Sequence, residues 1–216
     1  MSRPGYQAGH CMRRSSMNFI CLDVEGVLLP EIWIRIASVT DIAGLSLTTR
    51  DEPDFNALML RRCELLRQHD VSYTDILRIV REVEPLPGAV AFLSEVRRRW
   101  PCALISDSFY EFLLPLAPKL GLPTVFCHNL IIGDDGRLTG WRPRLVDQKP
   151  QVVRSLQALG FTVIAAGDSY NDLGMLRQAE HGFLVNAPPA IREAAGIGTC
   201  CAGLEELLDE IQKVAR

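Results

Sequence analysis

Short, continuously apolar segments recur along the chain, and each ends in polar residues. Three of them cover residues 18–24, 102–105 and 162–166, and shorter candidates cover 124–127 and 182–185. Segments of this length that are apolar throughout are typical of strands in a parallel sheet covered on both faces. The pattern therefore predicts a sheet whose strands are buried.

Helical periodicity separates these strands. Apolar residues recurring at spacings of three and four predict helices over residues 89–100, 110–120, 151–159 and 203–214. Strands that alternate with helices predict an α/β fold with a doubly wound parallel sheet. Residues 130–141 differ, because the turn sequence Asp134-Asp135-Gly136 between two short apolar pieces predicts a β-hairpin.

Residues 31–84 interrupt the alternation. Apolar residues such as Ile32, Ile36 and Val39 recur there with helical spacing, and no convincing strand is present. We therefore predict a small helical cap over 31–84, inserted after the first strand of an α/β core that comprises 17–30 and 85–216. Residues 1–16 have no hydrophobic period and no signal-type apolar segment, so they are predicted to form a disordered tail.

Charge and cysteine content narrow the classes of partner. A net charge of −3 provides no basic field that would attract nucleic acid or an anionic membrane. No apolar stretch approaches the ~18 residues that span a bilayer.

The seven cysteines include no C-x-x-C pair, so neither a zinc knuckle nor a disulfide framework is indicated. A reducing cytoplasm is the expected location, and a homodimer is compatible with the size although no hydrophobic stripe marks an interface.

Polar residues at the strand ends carry the candidate chemistry. Asp23, Ser106 and Asp168 each end an apolar strand, and Lys149 opens a helix. Open parallel sheets bind ligands beyond the carboxyl ends of their strands, so these four residues are expected in one crevice. Two carboxylates suit Mg²⁺, and one of them, Asp23, can attack phosphorus while the hydroxyl and the ammonium hold phosphate oxygens. Glu25 lies two residues beyond Asp23 and can protonate the leaving oxygen as a general acid.

In this order the residues resemble the four motifs of the haloacid dehalogenase superfamily of phosphatases. The motif D-x-D corresponds to Asp23-Val24-Glu25, the strand-end hydroxyl to Ser106, the lysine to Lys149 and G-D-x-x-x-D to residues 167–172. The resemblance covers roughly residues 18–212. It implies a Rossmann-like haloacid dehalogenase fold, a helical cap, Mg²⁺ as cofactor and an aspartyl-phosphate on Asp23.

The same resemblance implies a set of metal ligands. Asp23 and Asp168 are joined by Asp172, which is either a direct ligand or an orienting residue, and by Glu25 through its main-chain carbonyl and its side chain. The enzyme is thus expected to transfer a phosphoryl group with Mg²⁺ bound to acidic oxygens.

The chain is most similar to phosphoserine phosphatases that also transfer the phosphoryl group to homoserine. The segments CLDVEGVLLPEIWI, SDSFYEF and VIAAGDSYND carry this likeness. It implies that Glu31 recognises the amine of O-phospho-L-serine and that Arg62 recognises its carboxylate, with Arg61 as the alternative. Asp107 and Asn171 are expected to contact the substrate near its phosphate.

Two departures from the usual phosphatase pattern stand out. The second acid is Glu25, one methylene longer than aspartate, and Val27 occupies a position where a hydroxyl residue is common. The subgroup shares both departures, which leave open whether water or an alcohol accepts the phosphoryl group. The alternatives are a phosphatase of another small ester and a non-catalytic phospho-ligand binding module. The four histidines, Trp33 and Trp141 match no motif and are expected to serve packing or the surface.

Overall fold

The computed structural model describes residues 17–48, 51–52, 54–196 and 199–215, so the predicted tail lies outside the described residues. Within them, seven strands form one sheet. In chain order they are β1 (Asn18–Leu22), β2 (Cys102–Phe109), β3 (Thr124–Ile132), β4 (Leu138–Arg142), β5 (Thr162–Gly167), β6 (His181–Val185) and β7 (Cys200–Cys201). Their spatial order is β4-β3-β2-β1-β5-β6-β7.

All neighbouring strands are parallel except β4, which forms the predicted hairpin with β3. Along the chain, β1 is followed by β2 and β3 on one side, and the chain then crosses to β5 on the other side. The carboxyl ends of β1 and β5 therefore flank the point where the strand order reverses, which is where doubly wound sheets bind ligands. The predicted fold class is confirmed.

Helices cover both faces of the sheet. In chain order they are α1 (Ile32–Thr40), α2 (Phe55–Gln68), α3 (Tyr73–Arg81), α4 (Ala89–Arg99), α5 (Tyr110–Leu116), α6 (Gln148–Ala158), α7 (Leu173–Gln178), α8 (Pro189–Ala195) and α9 (Leu204–Val214). Alternate side chains of a strand point to opposite faces, so Ile20 and Leu22 pack into a larger apolar cluster while Cys21 packs into a second one. The central strands β1, β2 and β5 are buried on both sides, as their sequences predicted.

The helices α1, α2 and α3 occupy the region predicted as a cap. The side chain of Asp54 accepts hydrogen bonds from the first turn of α2, and Ser72 and Asp75 form a capping box at the start of α3. Trp33 of α1 packs edge-on against Phe112 of α5 with ring centroids 5.5 Å apart. The helical content is as predicted, whereas the division into cap and core stays a prediction.

Several element boundaries differ from those predicted. β2 continues to Phe109 instead of ending at residue 105, although its pairing with β3 skips from Ile105 to Phe109. The helix predicted over 110–120 ends at Leu116 and continues as a 3₁₀ turn, because Pro115 and Pro118 supply no N–H for helical hydrogen bonds. The helix predicted to begin at residue 151 begins at Gln148. Three short elements, α7, α8 and β7, were not predicted.

Among the helices of the described ranges, none combines the length and the apolar character that a bilayer-spanning segment needs. The cytoplasmic location and the homodimer are not tested by the fold and stay predictions.

Candidate active site

The loops that follow β1 and β5 bring two predicted aspartates together. Asp23 directly follows β1, and its backbone N–H donates to the carbonyl of Ala166 on β5 at 2.9 Å. Asp168 directly follows β5. Gly26 has a φ of +81°, and a Cβ there would lie 2.3 Å from Asp168 Oδ2. Glycine is therefore required for the first loop to approach Asp168 this closely.

Lys149 lies in the first turn of α6 and joins the aspartates. Its Nζ donates to Asp23 Oδ1 at 2.8 Å and to Asp172 Oδ1 at 2.7 Å. Asp172 is fully buried, and its Oδ2 accepts the backbone N–H groups of Asp168 and Ser169 at 3.0 Å each. The Asp172 side chain thus holds both the lysine and the loop that carries Asp168.

Burial and the neighbouring charges shift the pKa values of both Lys149 and Asp23. Burial alone would lower the pKa of Lys149, but the charges of Asp172, Asp23 and Asp107 raise it well above its usual value. Burial and the neighbouring Asp172 charge raise the pKa of Asp23, and Lys149 opposes that rise. A lysine that stays protonated is suited to bind an anion, whereas the crowded carboxylates need further positive charge to be ionised together.

Asp23, Asp168 and Asp172 form the carboxylate trio: each offers an oxygen, and the three oxygens lie within 4.8 Å of one another. Such hard oxygen ligands are those that Mg²⁺ prefers, so this donor set fits the predicted cation. The Glu25 carboxyl lies outside the trio, and its predicted contribution to metal binding stays a prediction.

The predicted phosphate-side residues lie next to this cluster. Ser106 is 2% exposed, and its Oγ accepts the backbone N–H of Ser108 at 3.1 Å. Asp107 accepts a hydrogen bond from Asn171 Nδ2 at 2.9 Å, and its Oδ2 lies 3.7 Å from Lys149 Nζ. Asp107 thus connects β2 to the asparagine and the lysine, and Ser106 precedes it in the stretch of β2 that skips its pairing with β3.

His128 and Gln148 support Asp107 and were not singled out by any sequence motif. His128 Nδ1 accepts the backbone N–H of Arg144 at 3.1 Å, and its Nε2 lies 3.6 Å from Asp107 Oδ1. Gln148 Nε2 donates to the carbonyl of Ser106 at 2.6 Å. Burial alone would raise the pKa of Asp107, but the Lys149 charge and hydrogen bonds from His128 and Asn171 hold it below its usual range. Only the β2–β3 register reveals His128, which pairs with Phe109.

The predicted acid, Glu25, faces the helical insert. Its Oε2 accepts the backbone N–H of Ile32, the first residue of α1, at 3.1 Å. Burial and the charge of Glu31 raise the pKa of Glu25 to about 7, although the hydrogen bond from the Ile32 N–H acts against that rise. A carboxyl group with such a pKa can both give and take a proton near neutrality.

The predicted carboxylate anchor, Arg62, is 5% exposed and lies over the ring of Trp33, 4.4 Å from the ring centroid. Its Nη2 donates to the carbonyl of Leu47 at 2.7 Å, whereas its Nε makes no hydrogen bond within the described residues. Burial lowers the pKa of the guanidinium to about 10, which leaves it charged at neutrality. Its neighbour Arg61 is exposed. Trp33 therefore serves as more than packing, because it supports the arginine.

One cavity of about 320 Å³ unites these groups. Nine predicted residues line it: Asp23, Glu25, Glu31, Arg62, Ser106, Asp107, Lys149, Asp168 and Asn171. Asp172 is not among the residues that line the cavity, although one of its oxygens lies within 4.8 Å of oxygens of Asp23 and Asp168. The volume lies at the lower end of the range for ligand sites and suits a small metabolite.

The sequence matches a known protein family and several characterised relatives. Residues 12–177 match the model of the haloacid dehalogenase-like hydrolase family. Phosphoserine phosphatase ThrH from Pseudomonas aeruginosa is 47% identical over 178 residues, which cover 82% of this chain and 87% of that protein. A phosphoserine phosphatase from Pseudomonas syringae pv. tomato is 44% identical, over 82% of this chain and 76% of that protein.

Solved structures support the fold. A phosphoserine phosphatase from T. onnurineus, in complex with NDSB-201, has a TM-score of 0.72 and 26% identity, covering 91% of this chain and 95% of that one. A structure described as a phospho-aspartyl intermediate analogue of phosphoserine phosphatase has a TM-score of 0.75 and 23% identity, covering 90% and 99%. At that identity the second likeness concerns the fold alone.

Proposed function

The chain belongs to the haloacid dehalogenase-like hydrolase family, and from that premise we propose that it is a phosphatase of O-phospho-L-serine acting through an aspartyl-phosphate on Asp23. The observation that carries the proposal is the pairing of two half-sites in one cavity. Asp23, Lys149 and the carboxylate trio form a phosphoryl-transfer half, and Arg62 with Glu31 forms an amino-acid half.

In the first half-reaction, an Asp23 oxygen attacks phosphorus while the bond between phosphorus and the serine oxygen breaks. Lys149 and Ser106 hold non-bridging phosphate oxygens and neutralise the charge that builds on them. Asn171, held by Asp107, contacts the phosphate from the loop after β5. Glu25 gives its proton to the departing serine oxygen, so serine leaves as a neutral alcohol.

The carboxylate trio would hold Mg²⁺, with the main chain of Glu25 as a further predicted ligand. When bound, the cation lowers the repulsion between the phosphate and the attacking carboxylate. Lys149 keeps its charge because three carboxylates surround it, and it therefore remains available to the substrate when the cavity fills.

In the second half-reaction, an acceptor oxygen attacks the phosphorus of the aspartyl-phosphate, the bond to Asp23 breaks, and Glu25 takes the proton of the acceptor. Water gives inorganic phosphate. We propose homoserine as a second acceptor, because it differs from serine by one methylene and can use the same anchors. A difference of one methylene is worth only about 1–3 kcal/mol, so modest discrimination is expected.

The amino-acid half of the cavity sets the substrate. Arg62 is desolvated and stacked on Trp33, so its guanidinium is fixed in direction and suits a carboxylate. Glu31 precedes α1 at the cavity wall and is suited to an ammonium group. Because both anchors come from the predicted cap, we propose that this region selects the substrate while the sheet performs the chemistry.

The test uses purified protein, Mg²⁺ and O-phosphoserine, with and without homoserine. We expect release of inorganic phosphate, formation of O-phosphohomoserine when homoserine is present, and loss of both in Asp23→Asn. Phosphate release without capture by homoserine would remove the second acceptor only. Turnover of Asp23→Asn equal to that of the unaltered enzyme would refute the nucleophile, and absence of any product would refute the substrate.

A further inference from the structure

Gln148 links the two elements that carry the predicted phosphate-binding residues. It is the first residue of α6, directly precedes Lys149, and is 1% exposed. Its side-chain Nε2 donates to the main-chain carbonyl of Ser106 on β2 at 2.6 Å. A single buried side chain therefore spans the space between the end of β2 and the start of α6, which carry the serine and the lysine.

The two carboxylate oxygens of Asp107 face different surroundings. Oδ1 accepts a second hydrogen bond from Gln148 Nε2, at 3.4 Å. Oδ2 accepts from Asn171 Nδ2 at 2.9 Å and lies 3.7 Å from Lys149 Nζ, and both of these residues line the cavity. One oxygen of Asp107 is therefore held from outside the cavity, and the other orients two residues of the cavity wall.

His128 on β3 approaches the same oxygen of Asp107 and is 5% exposed. Its Nδ1 accepts the backbone N–H of Arg144, so the proton of the neutral ring is on Nε2. That nitrogen lies 3.6 Å from Asp107 Oδ1 and 3.2 Å from Gln148 Nε2. Arg144 Nε donates to Gln148 Oε1 at 3.2 Å, and because arginine is only a donor, this contact directs the glutamine N–H groups toward β2.

We propose that Gln148 and His128 are positioning residues for the phosphoryl-transfer half of the cavity. Gln148 fixes the end of β2 against the start of α6 and thereby sets the separation of the Ser106 hydroxyl and the Lys149 ammonium. His128 acts with it on Asp107, whose other oxygen orients the cavity wall. Donors stabilise the charge that develops on phosphate oxygens only when their positions are fixed in advance, so loss of these contacts slows phosphoryl transfer although neither residue touches the phosphate.

The proposal rests on the proposed function, and a comparison of two esters tests it. Gln148→Met keeps the length of the side chain but removes its hydrogen bonds. Because all phosphate esters use the same phosphoryl-transfer half, we expect kcat/KM to fall about tenfold or more for O-phosphoserine and for phosphoethanolamine alike. Calorimetric titration with inorganic phosphate in the presence of Mg²⁺ should show weaker binding to the variant, and this readout does not depend on turnover.

Gln157→Met is the matched control. Gln157 also lies on α6 and donates to a main-chain carbonyl, that of Gln178, at 2.8 Å, but it does not line the cavity. The control should change neither ester nor phosphate binding by more than about twofold, as for most substitutions away from a site. Activity of Gln148→Met equal to that of Gln157→Met, or a loss confined to O-phosphoserine, would overturn the proposal.

Two substitutions of His128 separate positioning from packing and decide the matter even where Gln148→Met does not fold. His128→Phe keeps a ring beside Trp141, at a centroid distance of 5.2 Å in the unaltered protein, but has no donor. His128→Gln loses the ring and retains an N–H donor. We expect His128→Gln to be faster on both esters by about threefold or more, whereas a phenylalanine variant of equal or higher activity would overturn the proposal. An unaltered enzyme that binds phosphate but hydrolyses neither ester would refute the proposed function alone, since phosphate binding to the variants still tests positioning.

Discussion

Substitution of Arg62 separates substrate recognition from phosphoryl transfer. Arg62→Ala removes the buried guanidinium over Trp33 but leaves the carboxylate trio and Lys149 untouched. O-phosphoserine and phosphoethanolamine share a phosphate and an amine and differ in the carboxylate alone. We therefore expect the variant to lose kcat/KM for O-phosphoserine and to keep most of it for phosphoethanolamine.

The size of the loss follows from the surroundings of Arg62. The guanidinium is desolvated, remains charged, and has one nitrogen without a hydrogen bond in the described residues. A hydrogen bond to a charged group contributes about 1.5–3 kcal/mol, which corresponds to about a 10- to 150-fold fall in kcat/KM. Arg62→Lys keeps the charge but not the planar fork, so an intermediate loss is expected.

Steady-state phosphate release with both esters provides the assay, and Arg61→Ala is the matched control. Arg61 is exposed on the same helix, so its removal should change neither ester by more than about twofold, as for most surface substitutions. Thermal unfolding must accompany the assay, because Arg62→Ala also removes the donor to the Leu47 carbonyl. A folded Arg62→Ala protein that loses equal activity on both esters would refute the role of Arg62 as carboxylate anchor.

Three other predictions address the acid, the cation and the loop after β1. Serine release in single turnover should fall as the pH rises through about 7, because the Glu25 acid, whose pKa burial and Glu31 raise to about 7, must be protonated; a flat profile would contradict this. Asp168→Asn should raise the Mg²⁺ concentration for half-maximal activity about tenfold or more, since a charged oxygen ligand is lost; an unchanged Mg²⁺ titration would remove Asp168 from the site. Gly26→Ala should lower the free energy of unfolding by at least about 1 kcal/mol and impair turnover, because its Cβ would meet Asp168; an unaltered melting temperature and rate would contradict the close approach.

The sequence allowed the sheet and its catalytic edge to be predicted because both depend on local pattern. Apolar segments ending in Asp23 and Asp168 belong to parallel strands, and parallel strands bring their ends to one edge whatever the details of packing. The choice between Arg61 and Arg62 could not be made in this way, because adjacent helical residues differ by about 100° in direction and only packing decides which one faces the cavity. His128 was missed for a related reason, since its place beside Asp107 depends on the register between β2 and β3.

The long side chain of Glu25 connects the sheet to the helical insert. An aspartate at this position would have a shorter reach, whereas the glutamate carboxyl extends to the first N–H of α1 and is affected by Glu31. Glu25 is therefore hydrogen-bonded to the N-terminus of α1, and Glu31, the proposed amine anchor, directly precedes that helix. A shift of α1 would move the acid and the anchor together, so substrate binding and proton transfer are expected to be coupled.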